Sequence, residues 1–158
     1  MMRTLIAYTT KYGATEEIAR RIAERLEDAT LHDLRTDSAP DLAGFDCVIV
    51  GSPLYAGTAR KEATGFVTDN LAMLKDKRLG LFFAGMDADK QAEFLANNYP
   101  PEVLDHAITA EHIGGIFDPK KTNVAERLIM KAAAGKSDYQ DTIDDERITA
   151  FVDALNAG

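Results

Sequence analysis

The chain is poor in the residues that staple or metallate proteins. It has one cysteine, Cys47, no tryptophan and three histidines. A lone cysteine excludes a disulfide framework and a thiolate metal cluster. His32, His106 and His112 lie far apart with no matching ligand cluster, so they read as surface or packing residues and no metal is expected. Positive charge is also scarce. Lys and Arg total 18 against 26 Asp and Glu, a net charge of −8, which leaves no basic surplus for counterion release and argues against nucleic acid as a partner. No stretch approaches the roughly 20 apolar residues that a membrane span requires. The opening MMRTLIAYTT has too short an apolar run for a signal peptide. A cytoplasmic chain, one domain over residues 1–158, is the expectation.

What is present is an alternation of strand and helix patterns. Apolar runs at Thr4–Tyr8, Phe45–Val50 and Arg78–Gly85 read as buried strands, with weaker ones at Thr30–Leu34 and Ala107–Phe117. Gly51 and Pro53 read as the stop of the Phe45–Val50 strand. Between them, Thr15–Glu27, Lys61–Leu74 and residues 87–98 carry helical spacing, and the tail adds Asn123–Ala134 and Asp144–Asn156. Such alternation predicts an α/β three-layer fold, a five-stranded parallel sheet of order 2-1-3-4-5 with helices on both faces. Ligands of such sheets sit beyond the carboxyl ends of the strands, near the switch point, which points to the loops after Tyr8, Val50 and Ala84.

The first of these loops, YTTKYGAT (Tyr8–Thr15), lacks the spaced glycines of a dinucleotide fingerprint, since Gly13 stands alone. The one GKS, Gly135–Ser137, has Met130 where a P-loop needs its first glycine and follows a helix pattern. Hydroxyl groups on Thr9, Thr10 and Thr15, backbone N–H groups and a helix start nevertheless suit an anion. The same residues also fit a loop that binds nothing and uses Thr15 as a helix cap. A response-regulator reading needs an acidic pair at the end of the first strand, where Tyr8-Thr9-Thr10 stands instead.

YTTKYGATEEIA resembles the phosphate loop of flavodoxins, GSPLYAG (Gly51–Gly57) their second flavin loop and FFAGMDAD (Phe82–Asp89) their third. Within that family the chain is most similar to the menaquinone-dependent protoporphyrinogen IX dehydrogenase group, through its first loop and the segment RLIMKAAAGKSD (Arg127–Asp138). The resemblance implies FMN as cofactor, held by Thr9, Thr10, Lys11, Tyr12, Gly13, Ala14 and Thr15 at the phosphate. Ser52, Pro53, Leu54, Tyr55, Ala56 and Gly57 would lie along the ring, and Gly85, Met86 and Asp87 at its pyrimidine edge. Thr10 and Thr15 would donate hydroxyl bonds, and Tyr55 would stack on the isoalloxazine. A carbonyl of the Ala56–Gly57 turn would rotate toward the ring nitrogen that gains a proton.

The flavin carries the chemistry, so no catalytic side chain is expected. The acidic balance of the chain would disfavour a negative charge on the reduced ring. Cys47 reads as a small core residue. The resemblance further implies an oxidoreductase that passes electrons from a reduced substrate such as protoporphyrinogen IX to a quinone or other acceptor. The alternative is a carrier docking on redox partner proteins. In the enzyme reading the region around Lys120, Lys121, Arg127, Lys131 and Lys136 would supply peripheral membrane contact; the other reading of it is a helix packing back on the sheet.

Overall fold

The computed structural model describes residues 2–36, 40–86, 88–121, 128, 131 and 139–157. Strand β1 (Arg3–Tyr8) is followed by helix α1 (Ala14–Glu24) and strand β2 (Asp28–Asp33). After a 3₁₀ turn come β3 (Cys47–Tyr55), β4 (Thr58–Ala59), α2 (Lys61–Asp69) and α3 (Leu71–Leu74). Then follow β5 (Arg78–Ala84), a second 3₁₀ turn, α4 (Gln91–Asn98), α5 (Pro101–His106) and β6 (Thr109–Gly114). β7 (Ile116–Phe117), β8 (Gln140–Asp141) and α6 (Asp145–Ala157) complete the described elements.

β2-β1-β3-β5-β6 form a parallel sheet in the order expected from the alternation, with β4 added antiparallel to β3. Period-2 alternation sends each strand's residues to opposite faces, and both faces are covered, which is why β1, β3 and β5 are apolar almost throughout. Leu5, Ala7, Val48, Val50, Leu81 and Phe83 pack toward α2, α3 and α5. Ile6, Tyr8, Cys47, Ile49, Phe82 and Ala84 pack toward α1 and α6. The second face is tight: Gly80 lies where a Cβ would come within 2.9 Å of the Phe151 ring.

Several elements differ from the sequence reading. β3 does not stop at Gly51 but runs through Pro53 to Tyr55. Its β1 neighbour ends opposite Gly51, so Pro53 pairs only with β5, where its missing N–H costs no second ladder. The helix expected over Lys61–Leu74 is two helices divided at Asn70, whose side-chain Nδ2 donates back to the Phe66 carbonyl. α1 ends three residues early, its Arg25 and Leu26 amides turning to i−3 carbonyls before β2 begins. The fifth strand splits at Gly114, whose φ of +121° turns the chain so that β7 pairs with β8 in a separate two-stranded sheet. α5 was hidden behind Pro100-Pro101; proline at the first helical position costs nothing there. The helix read over Asn123–Ala134 lies outside the described residues.

Candidate functional site

The carboxyl ends of β1, β3 and β5 open into a cavity of about 590 Å³. Twelve of the sixteen residues expected to hold a cofactor line it: Thr10, Lys11, Tyr12, Ala14 and Thr15 from the first loop, Pro53 to Gly57 from the second, and Gly85 and Met86 from the third. Thr9, Gly13 and Ser52 do not line it, and Asp87 lies outside the described residues.

In the first loop, Gly13 takes a left-handed conformation (φ +99°) as the residue before α1, so the chain turns sharply from strand into helix. The Thr10 Oγ1 accepts from the Gly13 N–H at 2.9 Å, which shapes the turn and leaves the hydroxyl proton able to donate. No side chain caps α1. Thr15, expected as a candidate cap, is inside the first turn, fully buried, and its Oγ1 has no hydrogen-bond partner. A buried hydroxyl without a partner is costly, and here it stands at the positive end of a helix dipole on a cavity wall. The Thr9 Oγ1 is likewise buried and unpartnered, while its N–H donates to the Gly51 carbonyl at 3.1 Å.

The second loop is a two-residue hairpin turn, with Tyr55 opposite Thr58 and Leu54 opposite Ala59. Both central residues have positive φ, +52° at Ala56 and +81° at Gly57, the signature of a type I′ turn. Ser52, expected on the flavin, instead closes this hairpin: its Oγ accepts from the Arg60 N–H and donates to the Pro53 carbonyl, both at 2.9 Å. Tyr55 is 45% exposed, and the Lys11 ammonium stands 4.6 Å from its ring centroid and 5.1 Å from that of Tyr12. Lys11 therefore bridges the first and second loops through two aromatic faces. In the third loop the Gly85 amide, expected at the pyrimidine edge, donates to the Gly114 carbonyl at 2.9 Å and is committed to the sheet.

Sequence reading missed the wall that α4 and β7 supply. Arg60, Lys90, Phe94, His112 and Phe117 line the cavity, together with Glu93 and Asp118. Among the described residues the lining carries the cations Lys11, Arg60 and Lys90 against the carboxylates Glu93 and Asp118. The cavity thus does not share the chain's acidic balance, and the expected field against a reduced anionic ring is offset there. Arg60 pairs with Glu62 at 3.2 Å through Nη2, and its Nε is buried without a partner. His112, expected at the surface or in packing, is fully buried on β6 with its ring against Gly85. The helical start at the carboxyl end of a strand was the signal that α4 would reach the site.

The other two histidines are elsewhere: the His106 Nε2 lies 2.9 and 2.8 Å from the carbonyls of Leu74 and Lys77, and His32 is on the edge strand β2. Among the described residues no three His, Cys, Asp or Glu side chains gather as a metal site, and no helix is long and apolar enough to cross a membrane. Burial pushes the Cys47 thiol up to about 11, which suits a core residue and not a redox thiol.

The flavodoxin-domain profile matches residues 5–143. The chain belongs to the flavodoxin-domain family. It is 26% identical to a flavodoxin of Trichodesmium erythraeum over 163 aligned residues, covering 92% of this chain and 91% of that one. Its fold matches a short-chain flavodoxin associated with a bacterial microcompartment (15% identity, TM-score 0.61, 99% of this chain and 98% of the other). It also matches a Fusobacterium nucleatum flavodoxin bound to flavin mononucleotide (15% identity, TM-score 0.50, 99% and 96%). A further match is to the rubredoxin oxygen:oxidoreductase of Desulfovibrio gigas (17% identity, TM-score 0.50). There 98% of this chain aligns but spans only 36% of the other.

Proposed function

We propose that residues 1–158 act as one FMN-binding unit that transfers electrons through its flavin. The observation that carries this reading is the buried, unpartnered Thr15 hydroxyl on the wall of a cavity at the uncapped start of α1. A phosphate oxygen supplies the missing acceptor, and the amides of the first turn supply further donors. The residues present therefore fit the cofactor. Thr10 and Thr15 would donate to the phosphate, Tyr12, Ala14 and Gly13 would shape its cradle, and Lys11 would hold the first loop against the second. Pro53 to Gly57 and Met86 would flank the ring, with Ser52 and Thr9 supporting from behind. When bound, FMN supplies the electron and proton chemistry, and the protein supplies position and field.

The test is a pair of titrations. Thr15→Ala should raise the FMN dissociation constant about 10- to 100-fold, the worth of one hydrogen bond to a charged group. Riboflavin, which has no phosphate, should be affected far less. Equal weakening of both ligands would contradict the assignment.

The finer reading is an oxidoreductase, of the protoporphyrinogen dehydrogenase type or a relative, that delivers electrons to a quinone in or at the border of the cytoplasm. What favours a substrate is the second wall: Phe94, Phe117 and Arg60 line the cavity beyond the three flavin loops. A carrier docking on redox proteins is favoured instead by the net charge of −8 and by the flavodoxin relatives. Turnover of protoporphyrinogen with a menaquinone analogue decides for the enzyme. No turnover, alongside rapid single-electron exchange with a reductase, decides for the carrier.

A further inference from the structure

Gly85, Gly114 and Gly115 meet where the third loop leaves the sheet, with backbone packed directly on backbone. The Gly85 N–H donates to the Gly114 carbonyl at 2.9 Å, so the loop is tied to the end of β6. A Cβ at Gly115 would lie 2.9 Å from the Gly85 carbonyl oxygen, 3.0 Å from its nitrogen and 3.1 Å from its carbonyl carbon. Gly85 is also closed on the side of β6, where a Cβ would lie 3.0 Å from the His112 Nε2. Backbone cannot turn aside as a side-chain tip can, so neither Gly85 nor Gly115 has room to shift.

Thr142, 27 residues after Gly115, closes this seam. Its N–H donates to the Gly115 carbonyl at 2.8 Å, and its Oγ1 accepts from the Gly115 N–H at 3.1 Å. The proton of that hydroxyl has two acceptors in reach, the Met86 Sδ at 3.7 Å and the Gly115 carbonyl at 3.4 Å. The chain beyond Thr142 is pinned as well, since the Asp144 N–H donates to the Ile113 carbonyl at 3.0 Å. Gly85, Met86 and Gly115 all line the cavity, so the seam sets how far the third loop stands into it.

We propose that Gly115 and Thr142 are positioning residues for the flavin ring. Through the Gly85 backbone and the Met86 side chain they set the height of the third loop before the cofactor arrives. A wall placed in advance spares part of the ordering cost of binding. This deepens the FMN reading and rests on it. The effect belongs to the ring end of the site, because the phosphate turn is built from β1 and α1 and the seam from the ends of β5, β6 and β8.

The experiment titrates the full chain and its Gly115→Ala, Thr142→Val and Thr142→Ser variants with FMN and with riboflavin, and records the visible spectrum of each bound flavin. Gly115→Ala should weaken both ligands equally, by about 10-fold, since its methyl forces the Gly85 backbone aside. Thr142→Val should weaken both by about 3-fold and shift the bound-flavin spectrum. Thr142→Ser keeps the hydroxyl and should restore wild-type affinity and spectrum. In a Met86→Leu background, which lacks the sulfur acceptor, Thr142→Val should cost less than it does alone.

Wild-type affinity for both ligands in folded Gly115→Ala and in Thr142→Val would overturn the proposal, as would a loss confined to FMN. A Thr142→Ser protein no better than Thr142→Val would overturn the role of the hydroxyl, and full additivity with Met86→Leu would overturn the link to Met86. Should Gly115→Ala fail to fold, the two Thr142 variants decide. Failure of the wild-type chain to bind FMN would overturn the cofactor reading and this proposal with it, whereas wild-type FMN binding alongside any of those results overturns the proposal alone.

Discussion

The first and second loops of the cavity are built on opposite principles. The first leaves polar groups unspent: the Thr15 hydroxyl is buried without a partner and α1 begins with no side-chain cap. The second spends them: Ser52 is bonded twice, and the Gly57 carbonyl and Ala59 amide are both taken by Asn98. Unmet hydrogen bonds are a store of binding free energy that an anion releases, whereas met ones give rigidity. One loop thus keeps donors that the proposed phosphate would complete, and the other is completed by its own scaffold.

The largest effect separates the two loops' glycines. Gly57→Ala should destabilise the protein by about 3 kcal/mol in urea unfolding, because a left-handed alanine costs about 1–2 kcal/mol and its methyl overlaps the Phe94 ring. Gly13→Ala should cost only the backbone share, since nothing lies within 4 Å of its added methyl. Equal losses at the two sites would break the contrast.

Hydroxyls sharpen it next. Ser52→Ala should lose about 1–2 kcal/mol, leaving the Arg60 amide without its acceptor, yet keep the ratio of FMN to riboflavin affinity. Thr15→Val should do the reverse. It replaces an unpartnered buried hydroxyl by a methyl, so the flavin-free protein should gain about 1 kcal/mol while FMN binding weakens. A Thr15→Val protein less stable than wild type without flavin would mean that the hydroxyl is already satisfied.

The smallest effect lies beside the first loop. A side-chain hydrogen bond from Arg35 holds the Asp33 carboxyl below the usual carboxylate range. A group depressed in the folded state stabilises the protein above its unfolded value, near 3.9, and that share is lost as pH falls through the folded value. Asp33→Asn should therefore flatten the decline in stability below about pH 4, by a few tenths of a kcal/mol for so exposed a pair. An unchanged acid limb would assign the decline to other carboxylates.

Much of this architecture was legible because it is local. β1 and β5 are apolar runs bounded by turn residues, and α1 repeats Ile18, Ala19 and Ile22 at helical spacing, so their periods name them. The phosphate-loop candidates were legible for the same reason: Thr10 and Thr15 are neighbours in sequence and remain neighbours on the cavity wall. The second wall was not, because Phe94, Arg60 and His112 carry no local sign of sharing a cavity. Ser52 and Gly85 were placed on the flavin by their loops, but a serine beside a hairpin and an amide beside a strand end find partners within the protein first.

Residue order alone determined the layers, the strand order and the site at the carboxyl ends, because side-chain period and right-handed crossover leave few alternatives. Only the tertiary structure decided which polar groups in that site remain unmet and which are consumed. That outcome depends on contacts such as Asn98 with Gly57, 41 positions apart, which no pattern along the chain encodes.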